Sequence, residues 1–169
     1  MSLYYFAFGS NMDKQQMEDR KKEFEEKHKG IMKVEFTDGQ KGIMKDWKLI
    51  FNKINSRKEG AGFANIEPKK DSVVEGIIYK VNDDTIKMLD WYEGVRFDSY
   101  RRETMLVESE RNESKNCIVY IANPTKTNNS LKPEKWYLNR LLKGKEYLSD
   151  EYFSDLKKIE KALREALEF

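Results

Sequence analysis

Glu93 differs from the other acidic residues in its surroundings. In Leu89-Asp90-Trp91-Tyr92-Glu93-Gly94-Val95 it stands at the end of a short helical pattern, flanked by Trp91, Tyr92 and Val95. Aromatic neighbours that exclude water disfavour a charged carboxylate and raise its pKa. A carboxylate tuned that way exchanges protons near neutral pH. The same segment also suits an exposed helix-end glutamate beside a terminating glycine, and on its own it leaves both readings open.

A second candidate is the loop Gly9-Ser10-Asn11, where an aromatic run gives way to a polar one. Such a turn can direct successive backbone N–H groups into a cavity, and a helix start behind it adds partial positive charge. An amino-acid carboxylate would be held well there. Gly9 is expected to take a backbone angle that a β-branched residue resists. A plain glycine–asparagine turn remains the alternative.

Ser10 also raises nucleophilic catalysis. The nucleophile elbow places glycine two residues on either side of serine, but Phe8 and Met12 occupy those positions. The single histidine, His28, falls in a Lys/Glu-rich polar segment, and the single cysteine, Cys117, falls in a strand pattern. A protein nucleophile is therefore not expected. One histidine and one cysteine give no zinc spacing, and the acidic residues do not form an EF-hand. No metal or cofactor is expected.

The chain has 169 residues, enough for one core, and a single domain over 1–169 is expected. Charged residues make up 37%, with both signs interspersed and a net charge of +2. No basic block marks a nucleic-acid partner. No apolar run approaches the roughly 18 residues of a membrane span, and the first ten residues lack a signal-peptide pattern. A lone cysteine forms no internal disulfide, so a cytoplasmic location is expected.

The elements that must carry these candidates follow from hydrophobic pattern and punctuation. Leu3 to Phe8 suits a buried strand, and Asp13 opens a helix reaching about Lys29. Short strands are expected at Trp47–Phe51 and Gly62–Ile66, the second closed by Pro68, and a longer one at Val73–Val81. Asn82-Asp83-Asp84 starts a short helix that Gly94 ends. Strands follow near Tyr100–Glu108 and Asn116–Ala122, then a loop from Asn123 to Ser130. A helix begins near Pro133 and ends near Gly144. A second carries Tyr152, Leu156, Ile159, Leu163 and Leu167 at helical spacing. The class predicted is α+β, with a mixed, barrel-like β-sheet edged by helices.

Four segments, in order, resemble the γ-glutamylcyclotransferase family and its AIG2-like relatives. Tyr5-Phe6-Ala7-Phe8-Gly9-Ser10-Asn11-Met12 is similar to the family's Y-F-A-Y-G-S-N-hydrophobic signature. Asp46-Trp47-Lys48-Leu49-Ile50-Phe51 resembles its aromatic strand. Val74-Glu75-Gly76-Ile77-Ile78-Tyr79 with Leu89–Val95 resembles its V-x-G-x-x-(W/Y) and L-D-x-x-E-G-V core. Tyr137-Leu138-Asn139-Arg140-Leu141-Leu142-Lys143-Gly144 is similar to its Y-L-x-x-L-L-x-G helix.

The resemblance implies a compact barrel with a pocket lined by the G-S-N loop, and Glu93 as the catalytic carboxylate. It places substrate contacts at Phe8, Gly9, Ser10, Asn11 and Met12, and at Tyr100, Tyr120 and Tyr137. The implied reaction releases 5-oxoproline from a small γ-glutamyl compound without a cofactor. A non-catalytic binding or interaction protein on the same fold is the alternative, and a homodimer is compatible with the sequence. Phe8 departs from the family's frequent tyrosine, Arg96–Ser99 lacks a glycine often found before Tyr100, and Lys145 replaces an alanine. These differences lie around the far end of the implied pocket.

Overall fold

The computed structural model describes residues 2–37 and 39–166. Five strands close into a barrel in the order β1-β3-β2-β4-β5: β1 (Leu3–Ala7), β2 (Gln40–Ile54), β3 (Gly62–Val81), β4 (Tyr100–Ser109) and β5 (Ser114–Ala122). Four pairings are antiparallel, and β1 closes on β5 in parallel through Tyr5 and Ile118. The sheet is thus mixed, and β1 is flanked on both sides. Its aromatic run is suited to that enclosure: Phe6, Ala7 and Phe8 are buried.

Helices cover the barrel. The α1 helix (Lys14–Lys27) starts at Asp13, whose carboxylate accepts the Gln15 N–H at 3.1 Å, an N-cap that satisfies a first-turn donor. It buries only Met17 and Phe24, two turns apart on one face. The α2 helix (Asp83–Tyr92) is capped by Asn82, which accepts from the Thr85 N–H at 2.9 Å. Gly94 follows it at φ 63°, the left-handed conformation expected of a helix-ending glycine. The α3 helix (Lys135–Leu142) buries Tyr137, Leu138 and Leu141. The α4 helix (Asp150–Ala166) packs Tyr152, Leu156, Ile159 and Leu163 on the core; Leu167 lies outside the described residues. None of the described helices is long and apolar enough to cross a membrane.

Two strand boundaries differ from the sequence expectation. Trp47–Phe51 is part of a 15-residue strand, and Pro68 does not close its neighbour, because β3 runs for 20 residues through it. Among the described residues the one strand paired at Pro68 is β2, opposite Trp47, and residues 67–71 are exposed. Proline is tolerated where one strand edge faces solvent, since its missing N–H then breaks no ladder bond. The ladder jumps beside it. Asp46 and Asp71 take φ values of 65° and 66°, and the Asp71 N–H donates to Asp46 Oδ1 at 2.9 Å. Aspartate accepts that conformation more readily than most residues.

Candidate functional site

Glu93 is fixed through its backbone. As the C-cap of α2 it donates its N–H to the Leu89 carbonyl at 2.8 Å, and its own carbonyl accepts the Tyr100 N–H at 3.2 Å. Helix end and strand start are thereby tied together, and the side chain faces a cavity of about 320 Å³. Gly94 is required behind it, both by its φ and because an added Cβ would lie 2.9 Å from Ser99 Cβ.

The walls come from the barrel more than from the flanking sequence. Tyr5, Tyr100, Tyr120 and Tyr137 are all buried and all line the cavity with Glu93. Tyr92 lines it too. Trp91, expected to exclude water, instead stands 40% exposed outside, with the Arg96 guanidinium 4.4 Å from its ring centre. On the last turn of a helix, adjacent side chains point about 100° apart, so Trp91 and Glu93 cannot share a face.

Burial pushes the Glu93 carboxyl pKa up from its usual value, and the nearby Arg20 and Lys53 cations pull it partly back. No described residue hydrogen-bonds this carboxylate or lies within ion-pairing distance of it. The surrounding tyrosines are shifted up chiefly by burial, and Glu93 adds to each. Their hydroxyls differ in what they can still do. Tyr100 donates to the Ala64 carbonyl at 2.9 Å and Tyr120 to Asp90 Oδ1 at 2.8 Å, so both protons are committed. Tyr137 accepts from the Ala64 N–H at 3.0 Å and Tyr5 from Asn11 Nδ2 at 3.0 Å. Those two keep a proton to donate.

The Gly9-Ser10-Asn11 segment also lines the cavity, at the start of a 3-10 turn, Ser10–Met12. The first N–H groups of such a turn have no partner within it. Asn11 is 2% exposed and anchors the loop: its Oδ1 accepts from Gln16 and from Arg20, both at 2.9 Å. Phe8 lines the cavity, but Met12 does not. The tight turn rotates Met12 into the core, where Gly144 leaves room for its sulfur 3.0 Å from an added Cβ. The structure thus brings Phe8, Gly9, Ser10, Asn11, Glu93, Tyr100, Tyr120 and Tyr137 together around one cavity and leaves Met12 out of its lining.

Gly9 is not left-handed, its φ being −110°, although its ψ of −139° lies outside the usual extended and helical ranges. Its reason is proximity: an added Cβ would lie 3.2 Å from the Tyr137 hydroxyl and 3.3 Å from Ala64 Cβ. Ser10 Oγ accepts from Gln16 Nε2 at 2.7 Å, and His28 bonds the Phe24 carbonyl at the far end of α1. Among the described residues no base is bonded to the Ser10 hydroxyl. Ser10→Ala should accordingly keep activity within about 10-fold of wild type, whereas Gly9→Val should lose about 100-fold or more by displacing Tyr137 and the loop. Steady-state turnover of the two purified variants checks this, and the reverse order would restore a serine nucleophile.

Four lining residues carried no signal that singled them out. Gln16 and Arg20 sit in a helix where charged and polar residues are the rule, and Lys53 is one of 32 basic residues. Arg20 bonds Asn11 while its guanidinium lies 4.7 Å above the Tyr92 ring. Trp136, half exposed, lines the cavity, as do Ile54 and Phe63.

The sequence matches the AIG2-like family over residues 73–156. No curated protein is matched. Among solved structures, one of a γ-glutamyl cyclotransferase superposes with a TM-score of 0.74 at 23% identity, covering 98% of this chain and 99% of that one. An uncharacterized human protein gives 0.74 at 24% identity, with coverage of 96% and 98%. YkqA from Bacillus subtilis gives 0.77 at 22%; there 96% of this chain corresponds to 55% of the other, which is nearly twice as long. Such identities speak for the fold. Residues 73–156, which hold Glu93, Tyr100, Tyr120 and Tyr137, belong to the AIG2-like family, within a chain that has the γ-glutamyl cyclotransferase-like fold.

Proposed function

We propose that the protein is a γ-glutamylcyclotransferase that converts a small γ-glutamyl compound into 5-oxoproline and a free amine or amino acid. The observation that carries this is the Glu93 carboxylate: it is desolvated, raised in pKa and unpaired, and it faces a cavity of substrate size. A γ-glutamyl group brings its own nucleophile in the α-amine, so the protein has to supply orientation, a proton acceptor and charge stabilisation.

With the γ-glutamyl chain folded in the cavity, the amine nitrogen attacks the γ-carbonyl carbon. Glu93 takes the proton that the nitrogen must lose. A C–N bond forms as the five-membered ring closes, and the carbonyl oxygen gains negative charge. Protons on Tyr5 and Tyr137 are the side-chain donors available to that oxygen, and the backbone of the 9–11 loop lines the same cavity. Collapse of the intermediate breaks the original amide C–N bond, and Glu93 returns its proton to the leaving nitrogen. Proton count and charge are restored at Glu93, so no co-reactant is consumed.

The test is a panel of γ-glutamyl amino acids, γ-glutamylamines and glutathione, with 5-oxoproline release measured directly. Release from at least one class is expected. Glutamate appearing instead would indicate hydrolysis, and binding without any product would assign the cavity to a non-catalytic binding protein.

A further inference from the structure

Lys53 is buried, at 7% exposure, yet has no acidic partner. Its ammonium donates to the Ile54 carbonyl at 2.8 Å and lies 5.3 Å from the Tyr100 ring centre. Among the described residues no carboxylate comes within ion-pairing distance. A buried ammonium without a counter-ion is costly, and folded proteins normally pair it. Lys53 lines the same cavity as Glu93.

Its position there is specified by the backbone. Between the pairs Ile50–Asn65 and Lys53–Phe63 the ladder advances three residues along β2 but two along β3, a bulge of one extra residue. Strict alternation would send Asn52 and Lys53 to opposite faces, one of them out. Instead both are buried, and Asn52 is consumed by bonds with Asn65 and Asn129. A bulge re-aims a side chain in this way, and such bulges favour functional sites. Burial depresses the Lys53 pKa and Glu93 partly restores it, which puts an opposite charge nearby but not in contact.

We propose that Lys53 anchors the α-carboxylate of the γ-glutamyl group, so that the cavity selects substrates whose α-carboxylate is free. This rests on the cyclotransferase reading and deepens it. The α-carbon of a γ-glutamyl compound carries an amine and a carboxylate side by side. A cavity with one unpaired carboxylate and one unpaired ammonium complements that pair: the amine meets Glu93 and the carboxylate meets Lys53. Arg20 is already engaged by Asn11 and Tyr92 and supports the same sign of field. The 9–11 loop is then left to the carbonyl oxygen.

Two substrate forms test it: a γ-glutamyl compound with a free α-carboxylate, and the same compound as its α-carboxamide. Wild type should prefer the carboxylate by about 30-fold or more in kcat/KM, the scale for losing one member of a desolvated charge pair. Lys53→Met should bring that ratio within about 3-fold of unity, mainly by raising KM for the carboxylate form, and Lys53→Arg should recover part of it. Calorimetric binding of 5-oxoproline and of its carboxamide gives the same comparison without turnover. Lys53-dependent binding of 5-oxoproline with no turnover of any substrate would keep the anchor and remove the cyclotransferase reading. Turnover with an unchanged ratio, or equal losses on both forms, would overturn the anchor and leave that reading standing. Should Lys53→Met fail to fold, wild-type indifference between the two forms overturns the proposal by itself.

Discussion

In Glu93→Gln protein, 5-oxoproline release should fall by about 100-fold or more, the usual scale for losing a positioned acid–base group, while the fold and substrate binding are retained. Glutamine has nearly the same volume, and the carboxylate it replaces has no described hydrogen bond to lose. The wild-type kcat/KM profile should show an acidic limb above the usual glutamate range, because burial raises the Glu93 pKa. That limb should vanish in the variant. Stability should move the other way. A folded-state pKa above the usual 4.5 means that the unfolded chain ionises first, so wild-type stability falls as pH rises from about 4.5 through the folded value. Glutamine has no such dependence. Glu93→Gln should therefore melt higher than wild type at pH 8, with the gain disappearing below about pH 4.5. Near-normal turnover would remove Glu93 from the mechanism, and a variant that melts lower at pH 8 would show that Arg20 and Lys53, rather than burial, dominate its field.

Much of this arrangement was legible because local signals and enclosure agree. The run ending at Phe8 reads as a buried strand and is one, since β3 and β5 enclose it. Asn82 and Gly94 mark the ends of α2 by residue type, and they set where Glu93 falls. Two kinds of feature were not legible. One is the pairing of distant segments: the continuous β3 through Pro68 depends on that residue having a neighbour on one side only, which no local pattern encodes. The other is charge placed by a bulge. Lys53 is aimed inward by one surplus residue in β2, and Arg20 by the face of α1 that meets the loop. Both look like ordinary solvated cations in a chain that is 37% charged. Trp91 shows the converse error, because adjacency in sequence at a helix end does not make a common wall.

Gly76→Val should destabilise the protein by more than about 3 kcal/mol, the range reached when a substitution has no low-strain solution. Gly76 lies opposite Gly42 in the β2–β3 ladder, and the two glycines form a dent into which the end of β1 fits. A Cβ at Gly76 would lie 2.2 Å from the Ala7 carbonyl oxygen and 3.0 Å from the Phe6 ring; one at Gly42 would lie 2.9 Å from the same ring. The first obstacle is backbone, so no rotamer change relieves it. Either β1 leaves its place or the strand pairing opens. Because Ala7 leads directly into Phe8 and the 9–11 loop, a shift of β1 would also move one rim of the cavity. The glycine in the Val74-Glu75-Gly76 motif is thus accounted for by a close approach of strands, with no ligand involved. Gly60→Ala is the matched control. Gly60 has a φ of 81° and nothing within 4 Å, so it should cost only the 1–2 kcal/mol or so of left-handed backbone. Chemical denaturation of both variants, with the slope checked for two-state behaviour, gives the comparison. Equal losses would mean that the dent yields to a side chain and that β1 is held by its hydrogen bonds alone. A Gly76→Val protein that folds but has lost turnover, with Glu93 untouched, would show that the cavity lining depends on where β1 ends.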